Sequence, residues 1–449
     1  MSGESIANKL RRLRREGPSE ASSVGAASDA ASGSNSGASP DASPDANADT
    51  TRTPRAADLP AHLTRRLARV AAPSDLAARA TTGPPRDLVR RGGAWERVES
   101  FALDHRHGAV RLDRVLATEA RAIALVAADP TLEAFDPARA VYLDIEATGL
   151  SGGSGTYPYL VALARRVDER WELWQGFMAT PEEEPALLAE VARRVGGAGQ
   201  MVSFFGKSYD RHRLEDKMRH HRIDAPFDAV LHLDLYHPLK RLYDGAEANG
   251  KLQTHERVLC GFERTDDLSG AYAPMAWFDF VADRPHLLEE VFRHNAADVL
   301  SLIGLTAHLG GVLEDESALD GSPAHRARGL ARSFARAKEH ARAAEWFDRA
   351  AERFGDAGAS VERLALEGAR ERERAGERDA AARGYAALVD GADALVAALA
   401  CERLALLAPR LGRRDEARDW ARRGLECVRS ARPSNETARL TERLSRRVR

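Results

Sequence analysis

The sequence predicts an α/β domain with a mixed β-sheet, followed by an all-α region. Three strand-like runs at 139–147, 157–167 and 170–179 succeed one another over short gaps, which is typical of antiparallel neighbours. Strand-like and helical runs then alternate up to about 312, which predicts further strands joined through helices. From about 325 to 449 the pattern is helical throughout.

Local signals bound the elements that follow the third strand. Thr180 and Pro181 precede three glutamates, which favours a helix start with acids suited to the helix dipole, and Gly196 and Gly197 predict the end of this helix. The elements expected next are a strand at 200–205, a helix at 210–221, a strand at 229–236, a helix at 237–245 and a long helix at 284–314.

The chain before this domain divides into two segments. Residues 1–56 combine a short basic helix candidate with a stretch of Ser, Ala, Gly, Asp and Pro. That stretch has too few large apolar residues to offset its chain entropy and is predicted to be disordered. Residues 57–138 form a lead-in of uncertain fold, in which 99–112 has a strand-and-turn pattern and 113–128 has helical spacing.

The helical region at 325–449 contains an internal repeat. Segments that start at Lys338, Gly376 and Gly412 align at intervals of 38 and 36 residues. Small residues recur at the same offset within them, and aromatic residues recur to within one position: Ala343, Ala381 and Ala417, then Trp346, Tyr385 and Trp420. The spacing is close to that of tetratricopeptide helix pairs, which predicts a concave surface for a protein partner. A dimerisation or scaffold role is the alternative.

Composition narrows the class of protein. The 449 residues carry a formal net charge of -2, so nucleic-acid binding would depend on local patches. The cysteines, Cys260, Cys401 and Cys427, include no CxxC pair, which argues against a disulfide framework and a zinc site and favours a cytoplasmic location. Neither a membrane-spanning run nor the apolar core of a signal peptide is present in the sequence, so no membrane partner is expected.

Two carboxylates interrupt the first strand of the predicted sheet. Asp144 and Glu146 lie one residue apart in "VYLDIEATGL" and share a face of the strand. Unpaired buried carboxylates are strongly destabilising, and hard divalent cations prefer oxygen ligands. The pair therefore predicts a metal site, whereas a solvent-facing edge strand is the alternative.

Later elements supply further candidate ligands. Asp210 follows an apolar strand at the start of a helix, where a helix N-cap is the alternative role. His294 and Asp298 are four residues apart and so share a helix face. Alone, such a pair usually lies at the surface or caps the core. His294 and Asp298 indicate a site because they come third in order, after the Asp144–Glu146 strand and after Asp210.

The ordered segments "LDIEATGL", "FFGKSYD" and "HNAAD" resemble the three motifs of the DnaQ-like, or DEDD, 3′→5′ exonucleases. The segments "LSGGSGTYPYL", "LHLDLYHPLKRLY" and "HNAADVLSL" are similar to the YprB-like family of ribonuclease-H-like nucleases, some of which carry tetratricopeptide repeats after the nuclease domain. The resemblance covers about 139–312 and implies a ribonuclease-H-like mixed sheet with flanking helices.

The resemblance also implies the site residues and their roles. Asp144, Glu146, Asp210 and Asp298 would hold two Mg²⁺ or Mn²⁺ ions, which activate a water and stabilise the leaving 3′ oxygen. His294 would accept or orient the proton of that water.

Residues on the substrate side follow from the same resemblance. Thr148, Gly149 and Leu150 would meet the terminal nucleotide through backbone amides and an apolar wedge. Lys207, Arg211 and Arg213 could contact the phosphate backbone, although a solvated surface role is the alternative for each.

Two positions depart from the DEDD pattern. Phe205 stands where these enzymes usually carry Asn, and His294 stands where the tyrosine subtype carries Tyr, so the general base is not assigned to a subtype. Asp234 and His232 share a strand face in "LHLDLY", and we rank Asp234 second to Asp210 as a ligand.

The sequence thus predicts a metal-dependent 3′→5′ exonuclease that acts on single-stranded ends of DNA or RNA. A nucleic-acid-binding or scaffold protein that recruits partners through its helical repeats is one alternative. A structure-specific endonuclease on the same fold is another.

Overall fold

The computed structural model of the protein describes residues 78–149, 155–265, 268, 272–314, 322–355 and 359–449. The basic helix and low-complexity tail predicted for 1–56 lie outside the described residues, as does the first part of the lead-in. Within the described ranges, no helix is long and apolar enough to cross a membrane.

A seven-stranded sheet forms the centre of the α/β part, in the order β1-β2-β7-β6-β5-β8-β9. A small separate hairpin is formed by β3 and β4. The strands are β1 Val89–Arg91, β2 Ala94–Ala102, β3 Arg106–His107, β4 Val110–Arg111, β5 Val141–Ala147, β6 Pro158–Val167, β7 Arg170–Phe177, β8 Gln200–Ser203 and β9 Leu231–Asp234.

Strand directions change at β5. The strands β5, β6 and β7 pair antiparallel, as their short connections predict, whereas β5, β8 and β9 are parallel and are joined through helices. Because carboxyl ends of parallel strands lie at one edge, the segments that follow β5, β8 and β9 gather there. The mixed ribonuclease-H-like sheet predicted from the sequence is confirmed.

The described part of the lead-in adds two strands, β1 and β2, to the same sheet. The strand β2 pairs antiparallel with β7 along its whole length, from Trp95 opposite Phe177 to Ala102 opposite Arg170. The predicted strand-and-turn pattern and the helical spacing therefore correspond to sheet and core elements that continue the α/β part toward the amino terminus.

Helices cover both faces of this sheet. They are α1 Ala120–Ala127, α2 Glu184–Ala198, α3 Asp210–His220, α4 Tyr236–Leu242, α5 Leu252–His255, α6 Ala273–Val281 and α7 Leu288–Gly310. A π-helical turn, Glu256–Cys260, continues α5. The helices predicted at 180–197, 210–221, 237–245 and 284–314 correspond to α2, α3, α4 and α7.

Alternation along β5 fixes which side chains face each core. Val141, Leu143 and Ile145 are buried among the apolar residues on one face of the sheet. Tyr142 points to the opposite face, and its neighbours on that face are Asp144 and Glu146. The polar positions of the strand are therefore set by its apolar ones, since a register slip of one residue would expose the core.

In its described residues, 322–355 and 359–449, the region after the α/β part contains helices and no strand, as predicted. Its helices are α8 Pro323–Arg336, α9 His340–Phe354, α10 Ala359–Arg374, α11 Arg378–Ala386, α12 Ala394–Leu407, α13 Glu416–Ser430 and α14 Asn435–Val448. Ala343 and Ala381 of the predicted repeat are fully buried, and Ala417 is half-buried. The assignment to the tetratricopeptide class stays a prediction.

The first helix of this region packs directly onto the α/β part. Leu330 and Phe334 of α8 share one apolar core with Leu239 and Leu242 of α4. Gly329 makes the close approach between the two helices, because a Cβ at this position would lie 2.5 Å from the Leu242 Cα and 2.7 Å from its carbonyl oxygen. The contact between α4 and α8 therefore requires glycine, which has no Cβ, at position 329.

We expect Gly329→Ala to lower the free energy of unfolding by about 1–3 kcal/mol, because the backbone of α4 must move to admit the added methyl group. Urea denaturation followed by circular dichroism measures this loss. Gly197→Ala is the matched control, since a Cβ at this helix position would meet no atom within 4 Å. Equal effects of both substitutions would contradict the close approach.

Candidate active site

The carboxylates of β5 lie where its pairing becomes irregular. Asp144 and Glu146 are both half-buried, and the register with β6 shifts between Glu146 and Ala147. The shift ends regular pairing immediately after the second carboxylate. Thus the two acids lie at the end of the strand, on the side where the loops after β8 and β9 gather.

A buried amide chain orients Asp144. The Nδ2 of Asn295 on α7 donates to Asp144 Oδ2 at 2.7 Å. Gln175 on β7 in turn donates from Nε2 to Asn295 Oδ1 at 3.1 Å and to the Phe292 carbonyl at 2.9 Å. Both amide side chains are almost fully buried, so they hold one carboxylate oxygen of Asp144 in a fixed direction.

Asp210 reaches the site from the start of α3. It is 5% exposed, and the loop that brings it there turns tightly at Gly206. A Cβ at Gly206 would collide with the Ser203 side chain and would lie 3.0 Å from Asp210 Oδ2. Glycine at this position is therefore what lets the Asp210 carboxylate lie close to the end of β8.

Asp298 and His294 lie on one face of α7, as their spacing predicts. Nε2 of His294 is 3.5 Å from Asp298 Oδ2. The other oxygen of Asp298 accepts a hydrogen bond from the Arg264 guanidinium. Arg264 also donates to both oxygens of Glu256, at 2.6 and 2.8 Å, and lies 3.1 Å from His294 Nδ1.

The raised pKa values of Asp144 and Asp210 indicate electrostatic repulsion among these carboxylates. Burial, followed by the charges of Asp298, Asp210 and Glu146, raises the pKa of Asp144 well above its usual range. Burial and the charges of Asp234, Glu146 and Asp298 likewise raise the pKa of Asp210. The four predicted acids, which come from three distant parts of the chain, are therefore electrostatic neighbours.

Arg264 compensates part of this negative charge. Burial alone would lower its pKa, but the charge of Asp298 and the hydrogen bonds that Arg264 donates to Glu256 outweigh burial and raise the pKa further above its ordinary value. Arg264 is thus a firmly charged counter-ion to Asp298.

The donor set suits a hard divalent cation, since it consists of buried and half-buried carboxylates with excess negative charge. Their side chains do not yet form a coordination shell. Within the described ranges, no three His, Cys, Asp or Glu residues are arranged so that they could hold one metal ion. A cation that binds here would have to compete with Arg264 for Asp298.

Asp234 has a structural role in the loop after β8. One of its oxygens accepts hydrogen bonds from the backbone N–H of Phe205 at 2.8 Å and of Tyr236 at 3.1 Å, and the other accepts from that of Lys207 at 3.0 Å. Because both oxygens are engaged, this arrangement favours our ranking of Asp234 behind Asp210.

His232 likewise has a structural role, since it is buried between two strands. Its Nε2 lies 2.7 Å from Ser203 Oγ, and burial lowers the pKa of His232 to about 3. The imidazole is therefore neutral under ordinary conditions and pairs two adjacent strands.

Hydrogen bonds between Thr148 and Tyr157 hold together the two ends of the segment that follows β5. Thr148 is buried; its N–H donates to the Tyr157 carbonyl at 2.9 Å and its Oγ1 accepts from the Tyr157 N–H at 2.9 Å. The Gly149 carbonyl accepts from the Tyr209 hydroxyl at 3.1 Å. Leu150, the predicted apolar wedge, lies outside the described residues.

The predicted phosphate contacts differ in their surroundings. Arg211 pairs with Glu215 at 2.6 Å and with Asp228, so carboxylates outside the site already partner its charge. Arg213 lies over the Tyr209 ring at 5.0 Å, and its charge opposes the rise in the pKa of Asp210. Lys207 is exposed, with Nζ 4.0 Å from Asp129 Oδ2. Of the two arginines, Arg213 is the one that faces the carboxylates.

Sequence reasoning missed four side chains of the site: Gln175, Glu256, Arg264 and Asn295. Asn295 follows His294 directly in "HNAAD", so its position on a site helix was a usable signal. Gln175 is a polar residue in an apolar strand, which was a weaker one. Arg264 lies in a loop without periodicity, and no local pattern relates it to Asp298.

We expect Asp210→Asn to stabilise the metal-free protein. Because folding raises the pKa of Asp210, the folded state binds more protons than the unfolded state between the usual and the raised pKa. Stability therefore falls as the pH rises through that window, and the loss is complete above the raised pKa.

Removing this charge should raise Tm by at least about 2 °C at neutral pH, with a smaller gain near the usual pKa of a carboxyl. Thermal denaturation in EDTA across pH measures the difference. Asp224→Asn, at an exposed position, is the control. A lower Tm for Asp210→Asn at neutral pH would contradict the repulsion.

Comparisons with known proteins agree with this architecture. Residues 141–310 match the model of the RNase_H superfamily. Over 180 aligned residues the chain is 34% identical to "Uncharacterized protein YprB" of Bacillus subtilis (strain 168). The aligned stretch covers 39% of this chain and 43% of that protein. The match thus spans less than half the length of this curated relative. Sequence match and strand order together identify residues 141–310 as an RNase H-like domain.

Proposed function

We propose that this protein is a metal-dependent exonuclease that hydrolyses phosphodiester bonds at single-stranded nucleic-acid ends in the 3′→5′ direction. One observation carries the proposal. Asp144, Glu146, Asp210 and Asp298 are electrostatic neighbours at one edge of an RNase H-like sheet, although they come from distant parts of the chain. Their order matches the exonuclease motifs that the sequence resembles.

The four carboxylates would hold two Mg²⁺ or Mn²⁺ ions. When bound, such ions offset the carboxylate repulsion and supply Lewis-acid stabilisation of charge at the scissile phosphodiester. Asn295 keeps one oxygen of Asp144 directed, so that carboxylate does not need to reorient during the reaction.

The contacts of His294 define its protonation. Arginine can only donate, so the Arg264 contact at 3.1 Å makes Nδ1 of His294 an acceptor. The proton of a neutral imidazole then lies on Nε2, which faces Asp298 at 3.5 Å. For His294 to accept a proton from an attacking water at Nδ1, Arg264 must first leave this nitrogen. Release of Arg264 from Asp298 and His294 therefore prepares both residues for their proposed roles.

Two other functions fit part of the same evidence. A structure-specific endonuclease would use the same carboxylates without needing a free end. A binding or scaffold protein would use the helices from α8 to α14 to recruit protein partners, and would leave the carboxylates idle. The intact set of four acids favours an enzyme over the scaffold.

We expect purified protein with Mn²⁺ to shorten a 5′-labelled single strand stepwise, and Asp144→Asn to lower the rate at least about 10²-fold, because a preorganised charge at the reacting centre is lost. Gel electrophoresis of timed samples measures both. Asp224→Asn, at an exposed position outside the three motifs, is the control and should keep the wild-type rate.

The substrate distinguishes the alternatives. A circular single strand should resist the protein, and its cleavage would indicate an endonuclease instead. Wild type and Asp144→Asn that are equally inert on DNA and RNA, with either ion, would contradict an enzymatic function.

Asn295→Ala should lower the rate by about 10–100-fold, because the loss of an orienting partner weakens a ligand without removing it. The variant should keep measurable activity that rises with the Mn²⁺ concentration. Asn435→Ala, at an exposed helix start, is the matched control. An unchanged rate for Asn295→Ala would indicate that the hydrogen bond to Asp144 has no part in the reaction.

A further inference from the structure

A groove with a cationic lining lies between α4 and α8, where the helical region packs onto the α/β part. His237, Lys240 and Arg241 line it from α4, and Arg332 and Arg336 line it from α8. Among its described lining residues, Asp244 is the one carboxylate. Arg332 lies 3.5 Å from that carboxylate, so the cations of the groove outnumber their counter-charge.

The charges of this groove are poorly compensated. Within the described ranges, neither Lys240 nor Arg336 forms an ion pair with a carboxylate. Arg241 donates to the Ala127 carbonyl at 2.8 Å, while its Nε is buried without a hydrogen-bond partner. Burial and the nearby charge of Arg336 lower the pKa of Arg241. Cations crowded in this way favour a bound polyanion.

The groove continues toward the carboxylate site. His237 and Arg241 also line a neighbouring depression that includes Lys207 and Asp234. The loop that carries Lys207 also carries Gly206, where a Cβ would lie 3.0 Å from Asp210 Oδ2. A chain that lies in the groove and passes Lys207 therefore reaches the loop that leads to Asp210.

Phe205 lies close to His237, which lines both the groove and the neighbouring depression. Its side chain is among the exposed large hydrophobic ones, at 40%, and its ring is 4.9 Å from that of Tyr236 and 6.4 Å from that of His237. Its backbone has a φ of 64°, a conformation that is costly for a residue with a Cβ, and the Asp234 carboxylate holds it there. An aromatic ring kept exposed at such a cost, next to a residue that lines the groove, suits stacking against an unpaired base.

We propose that this groove is the path of a single-stranded nucleic acid, in which a base stacks on Phe205 and the phosphates that follow pair with Lys240, Arg332 and Arg336. The inference rests on the proposed function, since it takes the strand's end to be what the carboxylates attack. It assigns the departure at Phe205 a role in substrate binding, and it gives α8 a share in the substrate path.

Binding without hydrolysis tests the groove separately from the reaction. Fluorescence anisotropy of full-length protein with labelled single-stranded DNA and RNA, in EDTA and at several salt concentrations, measures affinity and its salt dependence. The double substitution Lys240→Gln with Arg336→Gln should weaken binding at least about tenfold at low salt and reduce the slope of log K against log salt by roughly 1.4. Arg414→Gln with Arg439→Gln removes two exposed charges elsewhere and is the matched control.

The outcomes separate the two claims. A loss confined to the groove variant supports the path even if the protein hydrolyses nothing. Equal affinity and slope for the groove variant and its control overturn the path even if the protein is an active nuclease. A preference between the DNA and RNA probes would assign the sugar that the path accepts.

Stacking on Phe205 has a readout of its own. A 2-aminopurine near the 3′ end should lose fluorescence on binding to wild type and to Phe205→Tyr. With Phe205→Ala the quenching should disappear and affinity should fall about 5- to 150-fold. Quenching that persists in Phe205→Ala would overturn the stacking role. Circular dichroism of both variants controls for folding.

Discussion

Mutual repulsion among carboxylates that are buried or half-buried is the constraint on which this structure depends. The carboxyl groups of Asp144 and Asp210 are drawn out of water beside those of Glu146 and Asp298, and their raised pKa values express the cost. Hydrogen bonds and cations offset part of it: Asn295 holds Asp144, and Arg264 neutralises Asp298. A fold that keeps such a cluster spends stability on it, which is typical of sites that bind cations.

The surrounding architecture serves to keep these acids together. The direction change at β5 brings three loops to one sheet edge, and the buried Gln175 extends the support of Asp144 into the sheet. The close approach at Gly329 then fixes the helical region beside this edge. In the proposed substrate path, the cationic face of α8 would bind phosphates and the carboxylates would bind cations.

Spacing between residues close in sequence predicted which of the site's side chains share a face of a strand or helix. The alternation along β5 predicted a shared face for Asp144 and Glu146, and the spacing of four predicted one for His294 and Asp298. The same helical geometry could have distinguished Arg213 from Arg211, because Arg213 lies three residues after Asp210 and shares its face. The contacts of Arg264 and Gln175 could not be predicted, since they join elements that only the folded topology brings together. A strand-end acid that binds backbone N–H groups, as Asp234 does, has the same local sequence as one that binds a cation, so the sequence alone could only rank Asp234 behind Asp210.

We infer that these four acids form a divalent-cation site. Isothermal titration calorimetry of metal-free protein with Mn²⁺ measures this binding without any substrate. We expect saturable binding of two ions by wild type, and loss of at least one of them in Asp144→Asn and in Asp210→Asn. Wild type that binds no Mn²⁺, or variants that bind as wild type does, would contradict it.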